Sequence, residues 1–486
     1  MSALRGQLNQ LRQIPPSVGL AIVLMVALVA RLSLAFRAPL LVTGDSEGYL
    51  IPAFALAHGL ELDLSLKRTP AYPAFVALSL LLQGDDLQSL ALLQHLLGLV
   101  TVAATFWLGR SLGGVITGVS AGLITGISGT LLMAEHSLMT EALFLPALTL
   151  ALACGVAATQ RGSFRLSLCS GLLLGIAILI RPVALSLAPL LFIAPILQHG
   201  WQRRAVFAGA LSMLAVGLVF GAWTLRPGRT DDAAVGGIGQ TLIGRTARHD
   251  RGGFTYWDPA RHGTEAPLRQ QVRRILQEAV DRGSSGRAVH TRIRKETGLS
   301  SAEADALMRD LALGTIQDQM DYYIQGTVQR FVRLAQPITE RFRDARNTND
   351  VARQRWEDEP TRPLITQVNM THDREAASAE WLTSFQPGRV GAALPTLAIL
   401  GAIAAFLMKQ RGAACLLAGS ALTLLVISAA LVGNVPRYRY PVDPIMIVLA
   451  ISGITIFCRS VPRFLARASG ARSGERHQPH PAKALQ

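Results

Sequence analysis

The sequence predicts an all-α polytopic membrane protein with about ten (10–12) transmembrane helices and one helical insertion outside the membrane. Hydrophobic residues make up 50% of the 486 positions and charged residues only 16%, against about a quarter charged in soluble domains. The apolar residues come in blocks of about twenty, the length that crosses about 30 Å of hydrocarbon as a helix. The predicted spans are residues 17–38, 86–109, 113–133, 138–158, 165–181, 183–199, 204–224, 390–408, 412–432 and 440–459.

The first span is expected to stay attached as an anchor. It follows Arg5 and Arg12, carries Arg31 and has no small-residue cleavage site behind it, which separates it from a secretion signal. With a cytoplasmic N-terminus, the short cytoplasmic loops and the tail are rich in arginine, as the positive-inside rule expects. Membrane-surface electrostatics therefore explains the formal charge of +15 without nucleic acid. The basic residues concerned are Arg110, Arg161, Arg165, Arg203, Arg204, Lys409, Arg411, Arg459, Arg463, Arg467, Arg472, Arg476 and Lys483.

This topology divides the chain into four segments. The four cysteines lie in or beside apolar runs, so neither a disulfide framework nor a thiolate metal site is indicated. The segments are an N-terminal transmembrane catalytic module at 1–224 with a first extracytoplasmic loop at 39–85, an extracytoplasmic helical domain at 225–387, C-terminal transmembrane helices at 388–460, and a basic cytoplasmic tail at 461–486 that is expected to be disordered.

Shorter helices are predicted outside the spans. The run Pro70–Leu82 is too short to cross the hydrocarbon and is interpreted as a re-entrant or interfacial helix. The insertion shows 3–4 spacing of apolar residues in two stretches, 268–280 and 307–328, which is typical of amphipathic helices. A helix start is predicted at Ser301. The stretch Tyr322–Leu334 is expected to lie along the membrane surface.

Asp45 and Glu47 are the strongest candidates for chemistry. They lie in the polar stretch Thr43–Tyr49, directly after the first span. A carboxylate at the end of a membrane helix is expensive unless it is solvated, paired or used. The alternative for Asp45 is a cap or turn residue between Gly44 and Ser46.

Further polar residues are predicted at the same membrane depth, at the outer ends of other spans. Arginine matches phosphate geometry through two parallel donors, so the array suits an anionic phosphate next to a bond that is broken. Other interpretations stay open: snorkelling for Arg181, an interface anchor for 437–440, plain loop charges for Lys67 and Arg68, and a helix-end contact for His136. The array consists of Lys67, Arg68, Glu135, His136, Glu141, Arg181, Arg226, Arg437 and Arg439.

Short motifs in this order resemble a family. The sequence is similar to the polyprenyl-phosphate-sugar-dependent glycosyltransferases of the GT-C fold, the group that contains the protein mannosyltransferases and the aminoarabinose transferase of lipid A. The resemblance covers about 1–230 and 388–460. Pro227 replaces a common asparagine, and 225–387 carries no matching motif, so the acceptor stays open. The motifs are Asp45-Ser46-Glu47-Gly48-Tyr49, Ala57-His58-Gly59, Arg68-Thr69-Pro70-Ala71-Tyr72-Pro73, Thr140-Glu141, Ile180-Arg181-Pro182, Ala222-Trp223-Thr224-Leu225-Arg226 and Arg437-Tyr438-Arg439-Tyr440-Pro441.

The resemblance implies an inverting transfer of a hexosyl or pentosyl group from a polyprenyl-phosphate donor to an envelope lipid, glycan or protein acceptor. Asp45 would be the general base, assisted by Glu47 or Glu141. A divalent cation (Mg, Mn or Ca) on Asp45 and Glu141 is left open. The residues predicted to bind substrate are Tyr49, Lys67, Arg68, Tyr72, His136, Arg181, Arg226, Arg437, Tyr438 and Arg439.

The expected location is a bacterial inner membrane with the active site facing the periplasm. Arginine far outnumbers lysine, which hints at a GC-rich bacterial genome, and no organellar signal is recognised. The expected partners are the lipid-linked donor, the acceptor and membrane lipids, not nucleic acid. The rival function is a transporter or flippase of lipids or lipid-linked sugars. Such a protein would use ionisable residues near the bilayer midplane and internal repeats, of which the sequence shows only Arg31.

Overall fold

A computed structural model describes residues 15–38, 40–43, 45–60, 69–84, 86–225, 237–247, 254–336, 373–386, 393–432 and 436–474. Within these ranges the chain is helical, apart from turns and one isolated β-bridge between Leu41 and Ser137. The predicted all-α membrane fold is confirmed. The predicted site residues Lys67, Arg68 and Arg226 lie outside the described residues.

The N-terminal module consists mainly of long apolar helices. Local signals set their ends: the Asp86 carboxylate accepts the backbone N–H groups of Gln88 and Ser89 and so starts the longest of them. The helices are α1 (Pro16–Ala35), α2 (Glu47–Ala57), α3 (Ala71–Gln83), α4 (Leu87–Gly113), α5 (Val115–Gly126), α6 (Gly129–Glu135), α7 (Glu141–Arg161), α8 (Phe164–Ile180), α9 (Ala188–His199, entered through the 3₁₀ turn Pro182–Leu187) and α10 (Arg203–Thr224).

The insertion is helical, as predicted. Its helices are α11 (Ile238–Ala247), α12 (Pro259–His262), α13 (Pro267–Asp281), α14 (Gly286–Thr297), α15 (Ser301–Asp318), α16 (Met320–Ala335) and α17 (Asp373–Leu382). The predicted start of α15 is confirmed: its N-cap is Ser300, which forms a capping box with Glu303. Helices α11 and α13–α15 pack around their own apolar core, which includes Phe254, Leu276 and Leu311.

The chain then returns to the membrane. The helices are α18 (Ala393–Leu407), α19 (Arg411–Ile427, extended by a π-helical turn at Ser428–Val432) and α20 (Asp443–Gly474), with a 3₁₀ turn at Pro436–Tyr438 before α20. Helix α20 continues through 461–474, where the sequence predicted disorder. The alanine and arginine residues of that stretch are strong helix formers, which accounts for the difference.

Every predicted span overlaps a helix, but the number of spans stays a prediction. By length and composition, six described helices can cross a membrane, or seven if the bent pair α5 and α6 forms one span. Helices α8 and α18 have 17 and 15 residues and are short for a crossing. The main core of the bundle contains buried residues such as Leu148, Leu191 and Leu417.

The third predicted span is broken between α5 and α6, which meet at a bend of 58°. The backbone groups freed by the break have partners: Arg31 donates to the Gly126 carbonyl at 2.9 Å, and the Gly129 N–H donates to the Phe385 carbonyl at 2.6 Å. Gly129 must lack a side chain, because a Cβ atom there would lie 1.9 Å from the Thr383 carbonyl oxygen. Such satisfaction of free backbone groups is the condition for a break inside a membrane.

Candidate active site

A short backbone pairing holds the loop that carries Asp45. The Leu41 N–H donates to the His136 carbonyl and the Leu138 N–H donates to the Leu41 carbonyl, both at 2.8 Å. The buried Ser46 hydroxyl then donates to the Leu138 carbonyl at 2.8 Å and accepts the Thr43 N–H at 2.9 Å. The loop after α1 is therefore fixed to the turn after α6.

Asp45 forms an ion pair with Arg437. The distance from Asp45 Oδ2 to Arg437 Nη2 is 2.5 Å, and the two side chains are 43% and 25% exposed. Arg437 lies in the 3₁₀ turn before α20, so residues from the two ends of the chain meet here. A guanidinium and a carboxylate that are both partly open to solvent can exchange partners when a charged ligand arrives.

A second ion pair lies beside the first. Glu141, the first residue of α7, accepts from Arg181 at 3.0 Å. Arg181 follows α8 in an extended conformation, and its guanidinium is 5.1 Å from the ring of Tyr438. Arg437 is 5.5 Å from the same ring and also interacts electrostatically with Glu141. The two guanidiniums thus share the ring of Tyr438, and each is paired with one carboxylate.

Glu47 turns towards the insertion. Its carboxylate is 27% exposed and lies 3.8 Å from Arg287 Nη2 of α14. The catalytic role predicted for Glu47 remains a prediction. The contact shows that the insertion reaches the loop that carries Asp45.

Two tyrosines, Tyr49 and Tyr72, pack against each other next to the loop that carries Asp45. Tyr49 and Tyr72 meet edge to face at 5.2 Å. The Tyr72 hydroxyl donates to Gln94 Oε1 at 2.7 Å, and the ring is fully buried. This burial argues for a packing role of Tyr72 and against the direct contact with substrate that was predicted. Tyr49 is 6% exposed, and its predicted role stays open.

Next to Tyr72 and Gln94 lies a buried polar network that the sequence analysis missed. Arg31 Nη2 donates to Glu135 Oε1 at 2.7 Å, and the other Glu135 oxygen is 3.1 Å from His95 Nδ1. His95 Nε2 is 3.0 Å from His136 Nδ1, and His136 Nε2 is 3.1 Å from the Ala38 carbonyl oxygen. Buried charges in a membrane bundle normally pair in this way.

Gln94 and Gly98 complete the network. Gln94 Nε2 donates to the Glu135 carbonyl at 2.8 Å. Gly98 provides the space for Glu135, because a Cβ atom at position 98 would lie 2.2 Å from the Glu135 carboxyl carbon. The available signal was that His95 and Gln94 interrupt the otherwise apolar second span.

Two residues that were predicted to bind substrate are buried against structural partners. His136 is fully buried and faces His95 and a backbone carbonyl, which argues against contact with a substrate. Arg439 is 2% exposed and pairs with Asp443 at 2.8 Å. Its Nη1 donates to the carbonyls at the end of α16, those of Leu334, Ala335 and Gln336. It therefore ties α16 to α20, which argues against a phosphate-binding role.

A metal role for Asp45 and Glu141 stays a prediction. Each carboxylate faces a guanidinium in this structure. In the ranges that the structure describes, no group of three or more His, Cys, Asp or Glu side chains is arranged to hold a metal ion. A hard divalent cation needs about six oxygen ligands, so most of them would have to come from the substrate or water.

Comparison with known proteins bears on this site. Residues 67–223 match the family model of dolichyl-phosphate-mannose-protein mannosyltransferases. No curated protein gives a significant match.

Solved structures with some similarity include two oligosaccharyltransferase structures from Archaeoglobus fulgidus. The AglB complex with an inhibitory peptide and a dolichol-phosphate is 12% identical, with 94% of this chain and 52% of that chain covered and a TM-score of 0.46. The apo form is 12% identical, with 96% and 53% covered and a TM-score of 0.49. The chain thus spans about half the length of these proteins.

The structure of ArnT from Cupriavidus metallidurans bound to undecaprenyl phosphate is 14% identical, with 90% of this chain and 77% of that chain covered and a TM-score of 0.35. The segment matched by the mannosyltransferase model contains Tyr72, Glu141 and Arg181. The family model confirms the resemblance to protein mannosyltransferases over residues 67–223, the segment that is similar to dolichyl-phosphate-mannose-protein mannosyltransferases.

Proposed function

We propose that the protein is a membrane glycosyltransferase that moves a hexosyl or pentosyl group from a polyprenyl-phosphate donor to a lipid, glycan or protein acceptor. The observation that carries the proposal is the pair of adjacent ion pairs, Asp45–Arg437 and Glu141–Arg181. The match to a mannosyltransferase family over residues 67–223 supports it. The reaction takes place on the extracytoplasmic side, in a bacterial inner membrane with the site facing the periplasm.

Arg437 and Arg181 are the candidates for holding the donor phosphate. Guanidinium groups bind phosphate through two parallel N–H donors. Arg437 is 25% and Arg181 13% exposed, so both can be reached by a ligand. Both guanidiniums contact the ring of Tyr438, at 5.1 and 5.5 Å from its centre.

Donor binding would prepare the base. In the structure, Arg437 engages the carboxylate of Asp45. When the donor phosphate takes over the Arg437 donors, the Asp45 carboxylate is released towards the acceptor. A base that becomes free only with donor in place limits unproductive hydrolysis.

The transfer is a single displacement. The acceptor hydroxyl or amine gives its proton to Asp45 while its oxygen or nitrogen forms a bond to the anomeric carbon. The bond from that carbon to the phosphate oxygen breaks, and the polyprenyl phosphate leaves with the electron pair. The configuration inverts, and the guanidiniums stabilise the charge that grows on the leaving phosphate.

The buried network of Arg31, Glu135 and His95 is the observation that favours the rival, a transporter, because ionisable groups inside a membrane often mark ion pathways. Its members bond to one another, Arg31 donates to the backbone carbonyls of Ala27 and Gly126, and His95 continues through His136 to the Ala38 carbonyl. Apart from Arg31 Nε, which has no hydrogen-bond partner among the residues that the structure describes, the network is paired in the way that a fixed structural network is. Glycosyl transfer therefore remains the proposal.

The test is Asp45→Asn, expressed in host cells at a level matched to wild type and to a strain that lacks the protein. Mass spectrometry of envelope lipids and glycoconjugates should show one sugar-bearing species missing in the mutant and in the null strain, while its lipid-linked donor accumulates. Asp310→Asn, in an exposed pair with Arg309, is the matched control. If Asp45→Asn retains the product, Asp45 is not the base. Lipid flux in vesicles that is independent of Asp45 would support the transporter.

A further inference from the structure

The last long helix of the insertion, α16, carries an unusual exposed surface. Four of its large apolar residues are between 42% and 56% exposed, and they follow one another at intervals of four positions. Residues spaced by four lie on the same side of a helix, so they form a continuous apolar stripe about 18 Å long. The stripe consists of Met320, Ile324, Val328 and Val332.

The opposite face of α16 belongs to the transmembrane bundle. Leu334 is fully buried in the main core of the bundle, and Phe331 packs against that core. Tyr323 donates from its hydroxyl to the Ala430 carbonyl at 3.0 Å, at the end of α19. Arg439 holds the carbonyls at the C-terminal end of the helix. This helix therefore lies at the level where the spans end, while its Tyr322 and Tyr323 also pack against the core of the insertion.

A polar row lies next to the apolar stripe. Gln325, Gln329 and Arg333 are also exposed, and each follows a stripe residue by one position. The exposed side of α16 is thus divided along its length into an apolar half and a polar half. An amphipathic helix of this kind binds in the plane of a membrane interface, with its apolar side at the boundary of headgroups and acyl chains.

We propose that the stripe of α16 is a lipid-binding surface that sits in the headgroup and acyl boundary of the bilayer spanned by the chain. The buried side of the same helix already joins the transmembrane core, so the stripe continues the apolar surface of the bundle. The bilayer anchors the insertion, and α16 sets the height of the insertion above the ion pairs. This inference concerns membrane contact and is independent of the proposed glycosyl transfer.

The experiment compares neighbouring positions on the same turn of the helix. The four cysteines of the full-length chain are replaced by alanine, and a nitroxide spin label is attached at Val328→Cys or Gln329→Cys. The proteins are reconstituted in phosphatidylcholine vesicles that contain a third anionic phosphatidylglycerol. Power-saturation EPR then measures the collision of each label with oxygen, which concentrates in lipid, and with a water-soluble nickel chelate.

The label at Val328 should collide mainly with oxygen, with a several-fold higher ratio of oxygen to nickel than the label at Gln329. Ile324→Cys and Gln325→Cys form a second pair that should repeat this difference, and they replace the first pair if either variant fails to fold. Equal access of nickel to both labels would place the stripe in water and overturn the proposal. Protection of the Val328 label from both reagents would show that protein or a bound isoprenoid chain covers it, which also overturns the proposal.

Discussion

Arg437 is the residue on which the proposed donor site depends most. Its guanidinium contacts Asp45 and the ring of Tyr438 and remains partly open. A lysine at this position would keep the positive charge but lose the planar pair of donors. The effect of substitutions here therefore separates simple charge attraction from bidentate recognition of phosphate.

Arg437→Ala should raise the KM for the lipid-linked donor at least about tenfold, since charged hydrogen bonds contribute about 1.5–3 kcal/mol each. The donor KM of Arg437→Lys should lie between those of Arg437→Ala and the wild type. Steady-state kinetics with reconstituted protein and variable donor measures both. Arg309→Ala, at an exposed pair in the insertion, is the control. An unchanged donor KM in Arg437→Ala would exclude the phosphate role.

Gly98 is important because it has no side chain, which leaves space for the carboxylate of Glu135. We expect Gly98→Ala to lower stability by about 1–3 kcal/mol, because the added Cβ would overlap the Glu135 carboxylate and displace it from Arg31 and His95. Thermal unfolding in detergent measures the change. Gly217→Ala, in α10 where a Cβ meets open space, is the matched control and should be neutral or slightly stabilising. Equal melting temperatures for the two variants would contradict the tight fit.

Helix α13 illustrates an element fixed by one strong ion pair. Arg273 donates to both oxygens of Glu265, at 2.8 and 3.0 Å. These hydrogen bonds hold the pKa of Glu265 below its ordinary value of 4.5. A lowered folded-state pKa stabilises the fold at pH values above 4.5, and this stabilisation is lost as the pH falls through the folded-state value.

Glu265→Gln should therefore lower the melting temperature at pH 7, and the difference from wild type should shrink as the pH falls through the lowered folded-state pKa of Glu265. Circular dichroism melts across this range measure the convergence. A difference that stays constant with pH would mean that the substitution acts through shape and not through the charge of Glu265.

The sequence predicted the positions of the helices better than it predicted the contacts between them. Apolar blocks and 3–4 spacing located the helices, including the start of α15, because these signals are local. The break between α5 and α6 was missed: Ser128 and Gly129 form a local kink signal, but the Phe385 carbonyl that accepts the Gly129 N–H is remote in the sequence and no local pattern reveals it. The network of Arg31, His95 and Glu135 was missed for the same reason: hydropathy does not say which spans are neighbours.

In the molecule as a whole, the insertion and the membrane bundle meet at several points. Arg245 of α11 is fully buried; it donates to the Ala430 carbonyl at 3.2 Å and to Thr327 Oγ1 at 3.3 Å. The pair of Arg287 with Glu47 is longer, at 3.8 Å, and Arg287 is 73% exposed. Exposed ion pairs contribute little to stability, so the buried contact should dominate the attachment.

Arg245→Ala should loosen the attachment of the insertion, and Arg287→Ala should leave it nearly unchanged. Hydrogen–deuterium exchange of α11 and α16, measured by mass spectrometry, should rise markedly only in the first variant. If exchange rises equally in both variants, or only in Arg287→Ala, the contact of Arg245 does not dominate the attachment of the insertion. Both variants keep Asp45 and Arg437, so activity provides a separate check on the site.

The sequence also placed most of the candidate site at one depth, but it could not pair the residues. Asp45 and Arg437 were both predicted at outer ends of spans, yet their contact joins segments far apart in the chain. Arg439, two positions from Arg437, was predicted to bind substrate too, and its buried bonds to α16 and Asp443 argue otherwise. The type of charge is readable from a sequence and the common depth stays a prediction, whereas the direction of a side chain depends on the neighbours that folding supplies.

The bend between α5 and α6 bears on how the protein is made. A ribosome delivers Gly129 long before Phe385, whose carbonyl takes the Gly129 N–H in the finished protein. Until residues 130–385 have been synthesised, the Phe385 carbonyl does not exist and the Gly129 N–H needs another acceptor. A straight helix provides that acceptor within the span itself. The third span is therefore expected to enter the membrane unbent and to break only after the insertion has been synthesised. The bend in the third span therefore forms late in the biosynthesis of the protein.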